Sequence, residues 1–203
     1  DTDKSKMISV DIELERQERV EYRTEDKAIV MFGQLKDGSN GDEGMKYLSK
    51  LTVDNEGGNV DFTNNKIIVR DADKLTLIFS SSTNYKNENY LAFVDSLMND
   101  AKSHSYKYLK RKHIESYQEL FNRVELDLGE GITDNHSIDD RLYAFQEEDD
   151  PQLAALYFHY GRYLFISSTR ENLLPPNLQG LWANTIQTPW NGDYHLNINV
   201  QMN

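Results

Sequence analysis

The chain has 203 residues, 38% of them hydrophobic, enough to bury the core of one large or two small globular domains. Lys and Arg number 22 against 34 Asp and Glu, and the resulting formal charge of -12 repels a phosphate backbone, which argues against nucleic acid as a partner. The same charge opposes anionic lipid surfaces and no apolar run approaches the roughly 20 residues that span a bilayer, while the lack of cysteine removes disulfides, thiolate metal sites and a cysteine nucleophile together.

Alternation governs the first eighty residues. Ile8, Val10, Ile12 and Leu14 fall on one face of an extended segment, with Ser9, Asp11 and Glu13 on the other, which predicts a half-buried strand. Strand-like runs follow at 28–35, 45–53, 59–62, 66–70 and 74–81, separated by Asn, Asp and Gly clusters. The turn at residues 55–58, and the pair Asn64 and Asn65, tolerate positive φ and point to antiparallel neighbours. Together these predict a β-sandwich or a large part of one.

Near Asn89 the period changes from two to 3.6, because Val94, Leu97, Met98 and Ala101 line one helical face. Ser103 is placed to cap a second helix whose apolar side runs through Tyr106, Leu109, Ile114, Tyr117, Leu120 and Phe121, with Lys110, Arg111 and Lys112 facing water. The two helices read as a linker. A strand-like VELDL at 124–128 comes next, and Ser137, with Asp140 three residues on, marks a further helix start. Asp150 before Pro151 is a strong opening for a helix running to about Ser168. That helix is apolar on nearly every face and calls for neighbours inside a multi-helix assembly.

From Thr169 the chain becomes a long loop in which Pro175 and Pro176 forbid helix. It combines Trp182 and Trp190 with Asn177, Gln179, Asn184, Asn191, Asn197, Asn199, Gln201, Tyr194 and His195. Flat rings beside amides suit a neutral polyhydroxylated ligand; equally, the amides can satisfy the loop's own backbone and the tryptophans can fill core. If Asn197-Ile198-Asn199 is extended, both amides project to one side, about 7 Å apart at Cα, and His195 shares that face. Two such carbonyl oxygens can orient a water, provided that a carboxylate elsewhere takes its proton. The competing account is a pair of Asx turns. No second His or carboxylate is read at ligand spacing from His195, and no metal or cofactor is assigned. Serine-hydrolase, phosphate-loop, zincin and dinucleotide motifs are missing.

The run from Asp149 to Asn203, DDPQLAALYFHYGRYLFISSTRENLLPPNLQGLWANTIQTPWNGDYHLNINVQMN, with GMKYLSKLTVDNEGGNV, KLTLIFSSSTNY and HIESYQELFNRVELDLG before it, closely resembles glycoside hydrolase family 95. These are the inverting α-L-fucosidases, some of which prefer L-galactosides. The resemblance implies an α+β multidomain architecture: the later part of an N-terminal antiparallel β-sandwich at 1–88, a helical linker at 89–136, and the opening of an (α/α)6 barrel at 137–203. It also implies that Asn197 and Asn199 hold the attacking water, that a downstream aspartate activates it, and that a downstream glutamate protonates the leaving oxygen. His195, Trp182 and Trp190 would contact the sugar. Both ends then look cut from a longer polypeptide, the remainder of which is the chain's first partner. The piece alone is expected to be inactive, since neither carboxylate falls within it. Fucosylated and galactosylated oligosaccharides both stay open as substrates, as does a non-catalytic carbohydrate-binding member. Export to the periplasm or cell surface is the family's expectation, and the sequence itself leaves location open.

Overall fold

The computed structural model describes residues 4–36, 43–63, 65–129, 131, 136–147, 149–171, 173–181 and 183–202. It divides into two compact units, Asp1–Lys110 and Arg111–Asn203.

The first unit holds two antiparallel sheets. One has the order β1-β6-β5, from β1 (Ile8–Glu13), β5 (Asn59–Thr63) and β6 (Lys66–Ala72). The other has the order β2-β3-β4-β7, from β2 (Glu21–Glu25), β3 (Ala28–Gln34), β4 (Lys46–Glu56) and β7 (Lys74–Thr83). Between them Ile29 and Leu51 pack against Ile67, Val69 and Ala72. Successive strand residues face opposite ways, so Val30 and Leu48 point to the other side of the second sheet. There they meet Val94 and Met98 of α1 (Tyr90–Ser103). This two-sided cover explains why β3 begins with an unbroken buried run, Ala28, Ile29 and Val30.

Five expectations change. The polar strand β2 escapes the apolar pattern; it is an edge strand whose hairpin to β3 turns on Asp26 and Lys27, both at positive φ (48° and 56°), the requirement of a two-residue mirror-image turn. The turn at 55–58 does not join paired strands. Both neighbours of β4 are taken, by β3 and β7, so Gly57 and Gly58, in left-handed backbone, send the chain to the opposite sheet. Ser103 bonds back to the Asp100 carbonyl at 2.7 Å, and Ser105 instead accepts from the Tyr108 amide at the head of α2 (Tyr106–Phe121). Residues 124–128 form no strand; the Leu126 amide donates to His159 Nε2 at 3.4 Å and Val124 gives its carbonyl to Arg162. On β1, Val10 stays 39% exposed while Ile8, Ile12 and, just past the strand, Leu14 pack against the core.

Lys50 lies in the middle of β4, only 8% exposed, on the face that α1 covers. Its ammonium reaches Asp95 of α1 at 2.9 Å and Glu25 at 3.6 Å. Burial pushes the Lys50 pKa down, yet the hydrogen bond and charge of Asp95, with Glu25 behind, outweigh it and the net direction is up. Burial also raises the Tyr47 hydroxyl.

In the second unit α3 (Ile138–Ala144) is capped by Ser137, which accepts from the Asp140 amide at 3.2 Å, and α4 spans Pro151–Ser168 with Asp150 as its cap. Asp150 is 1% exposed and accepts from the Leu153 amide at 3.1 Å and from Arg141 Nε and Nη2 at 2.8 and 3.1 Å. Arg162 of α4 donates to the Phe121 and Val124 carbonyls, each at 2.8 Å, with its guanidinium 4.7 Å from the centre of the Phe121 ring. As the apolar run requires, α4 leaves Tyr157, Phe158, Tyr160, Leu164 and Phe165 exposed, and no helix among the described residues is long and apolar enough to cross a membrane.

Two stability outcomes follow. A raised folded-state pKa contributes stability that is complete below the unfolded value and lost as pH rises through the folded one. Thermal melting of the full chain should therefore steepen its decline above about pH 10 through Lys50 and Tyr47, and Lys50→Met should flatten that alkaline limb. Asp150→Ala strips the cap and strands a partly buried guanidinium, for an expected loss of about 3–5 kcal/mol by denaturant unfolding.

Candidate functional site

The tail after α4 is held by its own polar groups. Asn177 Oδ1 accepts from the Gln179 amide at 2.8 Å in an Asx turn, and Gly180, at φ 74°, closes it with an amide to the Asn177 carbonyl at 2.9 Å. The Leu178 amide reaches the Asp193 carbonyl at 3.1 Å and joins the two halves of the tail. Gln179 donates to the Pro189 carbonyl at 3.3 Å and Gln187 to Asn191 Oδ1 at 2.6 Å. Half of the amide set thus maintains the loop. The side chains of Asn184, Asn197 and Asn199 make no hydrogen bond to a described residue.

Trp190 sits in the tight turn Pro189–Gly192, where it, Asn191 and Gly192 are all left-handed (φ 50°, 56° and 60°), and the residue is 70% exposed. It fills no core. Trp182 lies outside the described residues. Beside the turn, Gln179, Ala183, Asn184, Thr185, Thr188 and Pro189 line a cleft of about 540 Å³.

Residues 197–199 are not extended. The segment 196–198 is a turn with Ile198 at φ 70°, and Asn199 opens the short α5 (Asn199–Met202). The Val200 amide bonds to the His195 carbonyl at 3.3 Å and that of Met202 to the Ile198 carbonyl at 2.8 Å. The strand face that would have aligned His195, Asn197 and Asn199 does not exist; left-handed backbone at His195 (φ 41°) and Ile198 sets their directions instead. A β-branched residue at positive φ is costly, and such strain concentrates at functional sites. Neither amide is packed away, with Asn197 exposed and Asn199 half-buried.

Sequence reasoning passed over Asp193. Its Oδ1 lies 2.7 Å from His195 Nε2, so a carboxylate does stand beside this histidine, two positions earlier in GDYH. A search for zinc spacing does not find it, because one carboxylate serving one imidazole is a hydrogen-bond pattern and not a ligand set. A second, apolar groove of about 1120 Å³ follows α4, walled by Leu120, Tyr157, Phe158, Leu164, Phe165 and Met202 among others. His195, Asn197 and Asn199 border neither cavity.

Compared with known proteins, residues 105–203 match the glycosyl hydrolase family 95 catalytic domain, and residues 1–88 match the glycosyl hydrolase family 65 N-terminal domain. The chain is 38% identical over 180 residues to the probable alpha-fucosidase A of Aspergillus niger, covering 79% of this chain and 22% of that protein. It is 37% identical over 179 residues to alpha-L-fucosidase 2 of Arabidopsis thaliana, covering 79% and 21%. To the probable alpha-fucosidase A of Aspergillus oryzae the identity is 36% over 165 residues, covering 72% and 23%. The chain therefore spans about a fifth of the length of the curated relatives it matches.

Proposed function

Since the chain belongs to glycoside hydrolase family 95, we propose that the protein of which it forms part hydrolyses terminal α-L-fucosyl bonds with inversion at the anomeric carbon. The reading rests on one observation above the others. Among the tail's amides that bond to no described residue, Asn197 and Asn199 stand open to solvent on either side of a strained Ile198.

Two amide oxygens are suited to hold a water and unsuited to deprotonate it, because an amide takes no proton near neutrality. Inversion requires a general base on that water and a general acid on the leaving oxygen, their carboxyl groups about 6.5–9.5 Å apart. An aspartate and a glutamate from the rest of the polypeptide supply these roles. Trp190 offers an exposed ring to the apolar patches of the sugar, His195 meets a hydroxyl, and Trp182 joins them. In this reading residues 1–88 belong to a β-sandwich domain, 89–136 to a linker, and 137–203 open an (α/α)6 barrel in which the exposed side of α4 packs against later helices.

In the full-length protein, Asn199→Ala should lower kcat on 4-nitrophenyl α-L-fucoside about 100-fold, with KM nearly unchanged, as expected for a misplaced nucleophile. Turnover at the wild-type rate would remove the role. Following the first-formed sugar by proton NMR should show β-L-fucose; initial α-anomer would refute inversion.

A further inference from the structure

We infer that Asp193 is a positioning residue of this site, acting on the sugar only through His195. The inference rests on the reading of the tail as a sugar-binding site. The contact is short, 2.7 Å from Asp193 Oδ1 to His195 Nε2, in the range of a charge-assisted hydrogen bond. Both side chains are partly exposed, 53% and 38%, where an ion pair adds little stability, so holding the fold together is a poor account of it. What distinguishes the pair is that one partner is anchored. The Asp193 amide donates to the Trp190 carbonyl at 3.3 Å, and its carbonyl accepts from the Leu178 amide at 3.1 Å, so the backbone carrying the carboxylate is tied on both sides. His195, in left-handed backbone, turns its ring onto that fixed oxygen.

The chemical consequence is a defined imidazole. With the Nε2 hydrogen given to Asp193, Nδ1 is the ring nitrogen left for substrate, and in the neutral ring it is an acceptor for a sugar hydroxyl. A ring free to rotate or exchange tautomers would offer that hydroxyl a donor and an acceptor in turn. The same residue also orders the neighbouring amides: the His195 carbonyl receives the Val200 amide at 3.3 Å, one position beyond Asn199. Asp193 thus fixes the orientation of the residue from which the Asn197–Asn199 turn departs.

The test is a double-mutant cycle in the full-length enzyme with 4-nitrophenyl α-L-fucoside, comparing Asp193→Ala, His195→Ala and the double variant, with Asp193→Asn as the conservative replacement. Asp193→Ala should lower kcat/KM about 10- to 100-fold, the range seen when the partner orienting a functional histidine is removed. In the His195→Ala background the same change should cost less than about twofold, and Asp193→Asn, which keeps an acceptor oxygen, should restore part of the loss. Equal losses in both backgrounds would overturn the inference, since Asp193 would then act independently of His195. Should Asp193→Ala fail to fold, the cycle runs on Asp193→Asn with the same criterion. Wild-type enzyme that does not cleave the fucoside, or an Asn199→Ala variant that turns over at the wild-type rate, sinks the parent reading and this inference with it; an active wild type with a sensitive Asn199 and an additive cycle sinks this inference alone.

Discussion

A carboxylate withdrawn from water has to be answered by donors, and the helical half of this chain is arranged around one. Asp150 receives both arms of Arg141 and the amide of Leu153, so one side chain fixes where α4 starts and ties α3 to that point. Gly131 is held close as well: a Cβ there would come within 2.8 Å of the same carboxylate. Further along α4, Arg162 collects carbonyls from the end of α2 and from Val124. The helix that leads into the tail is therefore held near its start and again by its middle before the chain turns irregular.

The price of this arrangement is a large apolar surface. The exposed aromatic and leucine side chains of α4, with the groove beside them, exceed the scattered apolar residues of an ordinary surface. In the first unit the face of β7 that carries Leu77 and Phe79 is similarly bare, although both lie on the side that turns toward the opposite sheet nearer its centre. A helix without a wet side and a sheet face without a cover are each energetically incomplete, and each is suited to burial against further protein.

Local rules made much of the fold legible. Six of the seven strands stand where period-two runs predict them, and α3 and α4 begin at their capping residues Ser137 and Asp150, because a cap is chemistry within a few residues. The failures share a cause. β2 is polar because it is an edge, the turn at 55–58 changes sheets because both neighbours of β4 are taken, and VELDL alternates without pairing because His159 and Arg162 claim its backbone. None of these facts is written within ten residues of the segment it governs.

The candidate site divides in the same way. Which residue types gather in the tail was legible from composition and from motif, which are properties of the chain in one dimension. Which amides are spent on the loop, that Asn197 and Asn199 are not, and that Asp193 meets His195 were decided only when left-handed backbone at Trp190, His195 and Ile198 bent an expected strand into turns. Backbone handedness at residues other than glycine is imposed by surrounding hydrogen bonds, and those exist only once the chain has folded.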